Sequence, residues 1–203
     1  MQNNFERELP DGYRQAAYIN VKKASTGIVL NLLALVPLII APVVAGAMVA
    51  DRFSEDFLAI PNLIAVMLKV LVMGVLIWGY IVLHELVHAL VYRITTGEKP
   101  TFGITWSAAF CGVPNIFVYR RAALVSVLAP FVLFTVIFSA LSAWLYYVDA
   151  VSFILSALLW GVHVGGCVGD LLVTGVFLFK VRSKTALLRD TGPEQTFYEP
   201  IEK

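Results

Sequence analysis

Residues 63–92 read LIAVMLKVLVMGVLIWGYIVLHELVHALVY, and this stretch decides the fold class. Its only charged or imidazole side chains are those of Lys69, His84, Glu85 and His88. A helix rises 1.5 Å per residue, so about 20 apolar residues cross the roughly 30 Å hydrocarbon core of a bilayer. The stretch therefore predicts a membrane-spanning helix that carries a few ionisable groups.

Three further stretches are nearly as apolar, namely residues 24–50, 122–148 and 151–179. Prolines inside the first two predict local bends, which membrane helices tolerate. Of the 203 residues, 59% are apolar and only 14% are charged, and the mean hydropathy is +0.81. A soluble domain has about 25% charged residues, so this composition excludes one. We expect an all-α polytopic membrane protein of about four transmembrane helices.

The charged residues predict how these helices are oriented. Fifteen Lys and Arg against 14 Asp and Glu give a net charge of +1, which excludes a general attraction for nucleic acid. Lys and Arg concentrate in residues 1–23, in residues 93–121 and from Lys180 onward, whereas the other two connections hold only Arg52. Cytoplasmic loops carry the excess of Lys and Arg, so both termini are expected in the cytoplasm.

The same segments give the predicted domain organisation. A membrane domain of residues 24–180 lies between a cytoplasmic leader of residues 1–23 and a cytoplasmic tail of residues 181–203, and residues 51–56 form a short acidic turn. The tail contains Thr191-Gly192-Pro193-Glu194, which is typical of a turn, and is expected to end as a flexible extension.

The cytoplasmic loop of residues 93–121 has a pattern of its own. Residues 101–110 alternate larger apolar side chains with small or polar ones, and a period of two predicts an extended strand. Turn residues at 112–115 precede a second alternating run at 116–119. We expect a small β-hairpin-like ribbon, re-entrant or lying against the cytoplasmic membrane face. A surface loop without a role in substrate binding is the alternative.

The second span contains the pattern HExxH at His84-Glu85-Leu86-Val87-His88. Residues four apart share a helix face, so both imidazoles can reach one zinc ion at about 2.0–2.1 Å. Glu85 is placed to take a proton from activated water as general base and not to bind the metal. Buried ionisable groups in a span are costly, so this clustering favours a functional metal site.

A catalytic zinc site needs a third protein ligand and an open position for water. The further candidates within spans are Asp170 and His163. Counted from the cytoplasmic ends of the helices, Asp170 lies within a few ångströms of the level of His84, whereas His163 lies roughly 10 Å deeper. Asp170 is therefore the predicted third ligand and His163 an interior histidine with hydrogen-bond partners. Cys167 is a further candidate ligand.

Glycines recur at every fourth position of the last span, at Gly161, Gly165 and Gly169. Small residues at this spacing let helix backbones approach closely, which a short Asp170 side chain needs in order to reach a metal held on another helix. Plain helix packing is the other interpretation.

These features resemble the site-2 proteases, intramembrane zinc metalloproteases with HExxH in one membrane helix and a ligating Asp in a later one. They resemble more closely the putative zincin peptidases, small polytopic bacterial proteins formerly grouped as a domain of unknown function. The likeness covers residues 60–180 and rests on the sequence HELVHA at 84–89, the ribbon-like loop, and the pair Gly169-Asp170.

The resemblance implies a zinc peptidase in a bacterial cytoplasmic membrane, with His84, His88 and Asp170 as ligands and Glu85 as general base. One feature differs from the site-2 pattern. There, an Asn- and Pro-containing segment ends in Asp-Gly, whereas here Asp170 follows a glycine and precedes two leucines.

The favoured hypothesis is a zinc-dependent metalloendopeptidase that hydrolyses peptide bonds of membrane-associated substrates, with Zn²⁺ as cofactor. The alternative is a non-catalytic metal-binding membrane protein with a structural, sensing or pseudo-protease role. The expected partners are the lipid bilayer and a membrane protein or peptide substrate, and no nucleic acid. A homodimer is a further expectation, because four helices are few for enclosing a hydrated site.

Overall fold

The computed structural model describes residues 4–53, 60–106 and 108–201, and helices hold most of them. The helices are α1 (Ala24–Met48), α2 (Ile60–Thr96), α3 (Arg120–Leu145), α4 (Ala150–Gly166) and α5 (Val168–Gly175). A 3₁₀ turn at Ala50–Arg52 follows α1, and a π-helical turn at Val176–Lys180 extends α5. Half of the predicted acidic turn, residues 54–56, lies outside the described residues.

Four helical stretches are long and apolar enough to cross a membrane: Ala24–Met48, Pro61–Thr96, Arg120–Leu145 and Ala150–Lys180. They agree with the four predicted spans to within a few residues at most ends. The fourth differs in being two helices, because the chain leaves helical geometry at Cys167, with φ −80° and ψ 0°. The neighbouring glycines Gly165 and Gly166 explain a break here, since glycine is about 1 kcal/mol less favourable than alanine inside a helix.

Seven short strands accompany the helices in the described residues. They are β1 (Phe5–Glu6), β2 (Tyr13–Asn20), β3 (Thr101–Ile104), β4 (Ala109–Gly112), β5 (Phe117–Tyr119), β6 (Leu187–Asp190) and β7 (Glu194–Pro200). Five of them form an antiparallel sheet in the order β1-β5-β6-β7-β2. The fold is therefore mostly helical but not all-α, which corrects the expected fold class.

The tail is part of this sheet, so its prediction as a flexible extension is wrong. β6 and β7 form a hairpin, and Thr191 donates its backbone N–H to the carbonyl of Glu194 across the turn at 3.0 Å. Gly192 has φ +92°, a conformation that glycine adopts at little cost. The predicted turn is correct, but it connects two strands whose side chains are mostly half-buried or buried.

A hairpin does form in the predicted ribbon, from β3 and β4, with Thr101 opposite Gly112 and Ile104 opposite Ala109. Its turn, however, lies inside the run of residues 101–110 that was expected to be one strand. The expected second strand, β5, pairs instead with β1 and β6 in the five-stranded sheet. Ser107, within the connecting turn, lies outside the described residues. Trp106 in the same turn packs against Gly27 near the start of α1, where an added Cβ would lie 2.7 Å from the indole ring.

The chain divides into two compact units, and the first comprises residues 1–31, 83–130 and 168–203. Its core lies between the five-stranded sheet and the helical segments of the same unit. Phe177 from the π-helical turn packs edge-on against Phe197 of β7, with ring centroids 4.9 Å apart, and both are fully buried.

The second unit comprises residues 32–82 and 131–167. Here α4 packs closely against α1. A Cβ added at Gly161 would lie 2.5 Å from the Pro37 carbonyl oxygen, and a Cβ added at Gly165 would lie 2.6 Å from the Ala34 carbonyl oxygen. The glycine spacing therefore correctly predicts close helix packing. The helix that approaches Gly161 and Gly165 is α1, whereas the sequence analysis expected the helix with the HExxH pattern. At Gly169 an added Cβ would meet nothing within 4 Å.

Candidate metal centre

The two histidines of the HExxH pattern lie on one face of α2 in the first unit. His84 and His88 are 7% and 6% exposed, and their Nε2 atoms are 3.2 Å apart. The four-residue spacing of the helix brings the two rings together, with centroids 4.9 Å apart. Two imidazole nitrogens that converge on one point form half of a tetrahedral metal site.

Asp170 meets both histidines from the first turn of α5. Its Oδ2 lies 3.2 Å from His84 Nε2, and its Oδ1 lies 3.4 Å from His88 Nε2. The side chain of Asp170 is 20% exposed. The depth argument from the sequence thus correctly placed this carboxylate beside the motif.

The triangle of His84, His88 and Asp170 fits a zinc ion. Ligand atoms that lie about 2.0–2.1 Å from a tetrahedral zinc are about 3.3 Å from one another. The two Nε2 atoms are 3.2 Å apart, and each lies 3.2–3.4 Å from a different oxygen of the Asp170 carboxylate. One ligand atom from each of the three residues lies within 4.8 Å of the other two. Moreover, Asp170 Oδ2 is fully buried and has no hydrogen bond within the described part of the chain, which a bound cation would compensate. The donor set of two imidazoles and one carboxylate leaves a fourth position open, as in catalytic zinc sites.

His88 is held by a main-chain oxygen on α3. Its Nδ1 lies 2.9 Å from the carbonyl oxygen of Ser126, which is fully buried. A carbonyl oxygen only accepts hydrogen bonds, so Nδ1 carries the proton and donates. In the neutral ring the lone pair is then on Nε2, the atom that faces His84 and Asp170.

Glu85 is half-buried and stands beside the triangle without belonging to it. It directly follows His84 in α2 and so is adjacent in the chain to a candidate ligand. A carboxylate that is close to a metal site but outside its ligand set is suited to proton transfer.

A buried tyrosine and a buried carboxylate also lie in the first unit, and the sequence analysis missed both. Tyr92, one helical turn after His88, donates its hydroxyl proton to Asp190 Oδ2 of β6 at 2.6 Å. Asp190 Oδ1 accepts from the backbone N–H of Gly192 at 2.9 Å. Burial raises the pKa of Asp190 above its usual range. The repeat of four residues along His84, His88 and Tyr92 was the available signal.

His163 lies in the second unit and is fully buried. Its Nδ1 is 2.9 Å from the Tyr80 hydroxyl and its Nε2 is 2.9 Å from Thr135 Oγ1, so both ring nitrogens have partners within this unit. This is the arrangement expected for an interior histidine. Cys167 Sγ lies 3.7 Å from His163 Nδ1 in the same unit.

Comparison with known proteins agrees with this geometry. The sequence model of the family described as putative zincin peptidase matches residues 77–185, which is more than half of the chain and includes His84, His88 and Asp170. The match runs from α2 to the segment before β6, so most of the five-stranded sheet lies outside it. No curated protein and no solved structure matches the chain. The chain belongs to the putative zincin peptidase family.

Proposed function

We propose that this protein is a zinc-dependent endopeptidase that hydrolyses peptide bonds of membrane-associated substrates. The observation that carries the proposal is the buried cluster of His84, His88 and Asp170. Two imidazole Nε2 atoms 3.2 Å apart each lie 3.2–3.4 Å from one oxygen of the same carboxylate, a donor set that suits a zinc ion. Membership of the putative zincin peptidase family supports it. The resemblance to site-2 proteases stays a prediction.

The roles of the residues follow from their positions. His84 and His88 would each offer Nε2 to the metal, and Asp170 a carboxylate oxygen. A zinc ion held there would supply Lewis acidity, which activates water and polarises the scissile carbonyl. The Glu85 carboxylate would accept the proton of the attacking water and return it to the leaving amine.

The β3–β4 hairpin is suited to hold a substrate in extended form. A helical substrate hides its carbonyl groups in its own hydrogen bonds, so the segment to be cut must unwind. Within the described residues β3 pairs only with β4, so its other edge is open to strand addition. Phe102 and Ile104 on β3 are 53% and 85% exposed, which offers apolar contacts to the added strand.

Two observations support a site at membrane depth with both termini in the cytoplasm. Leu83, Leu86 and Leu90 flank the motif on α2 and are about half exposed, as expected for side chains that face lipid. In addition, the sheet pairs strands from the leader, from the loop of residues 93–121 and from the tail. These are the three segments rich in Lys and Arg, so their shared sheet supports one common, cytoplasmic side.

The first experiment measures zinc in the detergent-purified protein. We expect about one zinc per chain in the wild type, loss of zinc in His84→Ala, weaker binding in Asp170→Ala and retained zinc in Glu85→Gln. His163→Gln is the matched control, because it alters the third histidine of the chain and should keep the metal. A wild-type protein without zinc, prepared without chelators, would refute the proposal.

The second experiment separates a peptidase from a non-catalytic metal protein. Single-span membrane peptides are incubated with the zinc-loaded protein in detergent, and the products are identified by mass spectrometry. Cleavage by the wild type and none by Glu85→Gln supports the proposed role of Glu85. Equal cleavage by both proteins contradicts that role, and a zinc-loaded wild type that cleaves no peptide favours the non-catalytic alternative.

A further inference from the structure

The hydrogen bond from His88 Nδ1 to the Ser126 carbonyl joins two membrane helices by an unusual acceptor. In a regular helix the carbonyl of residue i accepts the N–H of residue i+4, so a carbonyl inside a helix is normally engaged. Ser126 lies in the interior of α3, in the second turn of a helix that begins at Arg120. Its oxygen is nevertheless 2.9 Å from His88 Nδ1.

The reason lies four residues further on, at Pro130. Proline has no backbone N–H, so the Ser126 carbonyl lacks its helical donor. The proline ring also crowds the carbonyl of residue i−4 and turns it outward from the helix axis. Pro130 is fully buried, and so is Ser126. A carbonyl left unpaired in such surroundings costs several kcal/mol, which makes a donor from outside the helix strongly favourable.

We propose that Pro130 is a positioning residue of the metal centre. Because Pro130 has no backbone N–H, the Ser126 carbonyl is available to accept the hydrogen bond from His88 Nδ1–H. This bond fixes both the orientation of the imidazole and the proton on Nδ1, so that Nε2 faces His84 and Asp170 as a ligand. The inference rests on the proposed function, because it concerns how that site is prepared for its metal.

The substitution Pro130→Ala tests the proposal, because alanine restores the backbone N–H that takes the Ser126 carbonyl back into its own helix. Partners that orient a ligating histidine typically contribute about 10- to 100-fold to metal affinity. We expect zinc affinity, measured by competition with a chelating dye, to fall by this factor in Pro130→Ala. Thermal unfolding of the zinc-free variant shows that it is folded, so that the change in affinity is measured on folded protein.

Pro42→Ala is the matched control, because Pro42 also lies inside a membrane-length helix, α1. It repeats the change in helix geometry at a position that belongs to the second unit and not to the metal centre. Its zinc affinity should stay close to that of the wild type. An equal loss in Pro42→Ala and Pro130→Ala would assign the effect to helix bending and overturn the proposal.

A spectroscopic measurement decides the matter even if Pro130→Ala fails to fold. The chain has three histidines, so ¹⁵N-histidine labelling of the zinc-loaded wild type gives a spectrum that can be assigned with single substitutions. A protonated Nδ1 on His88 that exchanges slowly with solvent supports the proposal. An unprotonated Nδ1 on His88 overturns it.

The result also distinguishes this inference from the proposed function. If the wild type binds zinc and His84→Ala does not, the metal site stands whatever Pro130→Ala shows. A zinc affinity of Pro130→Ala that equals that of the wild type then refutes the positioning role alone. A wild type that binds no zinc refutes the proposed function, and the inference with it.

Discussion

Replacing Tyr92 with Phe should destabilise the protein by leaving Asp190 Oδ2 without its donor. The hydroxyl of Tyr92 donates to this oxygen at 2.6 Å, and both residues are buried. A hydrogen bond to a charged group contributes about 1.5–3 kcal/mol. At roughly 2–4 °C per kcal/mol for a chain of this size, the unfolding temperature should fall by about 3–12 °C.

The penalty should depend on pH in a direction set by Asp190. Burial raises the pKa of Asp190, so its protonated form stabilises the fold at low pH, and this contribution is lost as the pH rises through the pKa of the folded state. Below that pKa, Tyr92→Phe removes a bond to a neutral carboxyl. Above it, the same substitution leaves one oxygen of a buried carboxylate, Oδ2, without a donor, which costs more. The loss of stability should therefore grow with pH.

The assay is thermal unfolding in detergent over a series of pH values, with Tyr119→Phe as the matched control. Tyr119 also donates its hydroxyl to a carboxylate, Glu6 Oε1 at 2.8 Å, but this pair is only partly buried. We expect the control to lose less than about 1 kcal/mol. A Tyr92→Phe penalty no larger than that of the control, or one that is the same at every pH, would refute the reasoning.

Three further predictions concern other parts of the chain. Gly165→Ala should lower the free energy of unfolding by about 1–3 kcal/mol, because its Cβ would lie 2.6 Å from the Ala34 carbonyl oxygen. Gly169→Ala is the control and should lower it by nothing, because an added Cβ there meets no atom within 4 Å. Equal losses of stability in thermal unfolding would contradict this prediction. Asp149→Ala removes the N-cap of α4 and should cost about 1 kcal/mol. Burial alone would raise the pKa of Asp149, but its hydrogen bonds with Lys69 and Ser152 together hold that pKa below its usual range. The stabilising effect of Asp149 should therefore be present near neutral pH and disappear as the pH falls through the lowered pKa. Burial raises the pKa of the Cys111 thiol to about 12, so little reactive thiolate is present in the folded protein. Iodoacetamide should therefore alkylate Cys111 only after unfolding. Alkylation of the folded protein, detected by mass spectrometry, would contradict this prediction.

Local patterns in the sequence predicted what local physics determines. Uninterrupted apolar runs gave the four membrane-length helices to within a few residues at most ends. The four-residue spacing of His84 and His88 gave their common helix face, and helix rise gave the level of Asp170. The alternation in residues 101–110 indicated extended chain there, although the turn between β3 and β4 falls inside this run and not after it. Each of these follows from neighbours within one element or from counting along a helix.

Long-range pairing could not be predicted in the same way. β2 pairs with β7 so that Tyr13 lies opposite Pro200, and no short window contains both strands. The tail was therefore expected to be a flexible extension, and no strand was predicted in the leader. The Ser126 carbonyl was missed for another reason: it is a main-chain group, and its only trace in the sequence is the proline four residues later.

The length of α2 has a consequence for the surrounding bilayer. Apolar side chains are exposed along it from Leu63, 39% exposed, to Ile94, 73% exposed. At 1.5 Å per residue this surface is about 46 Å long, against a hydrocarbon core of about 30 Å. In a membrane such a hydrophobic mismatch is relieved by tilting the helix or by thickening the lipid around it. Because His84 and Glu85 lie in the last third of α2, a change of tilt moves them relative to the membrane plane. For the peptidase proposed above, the acyl-chain length of the surrounding lipid would then help to set the depth at which a substrate peptide bond meets the metal centre.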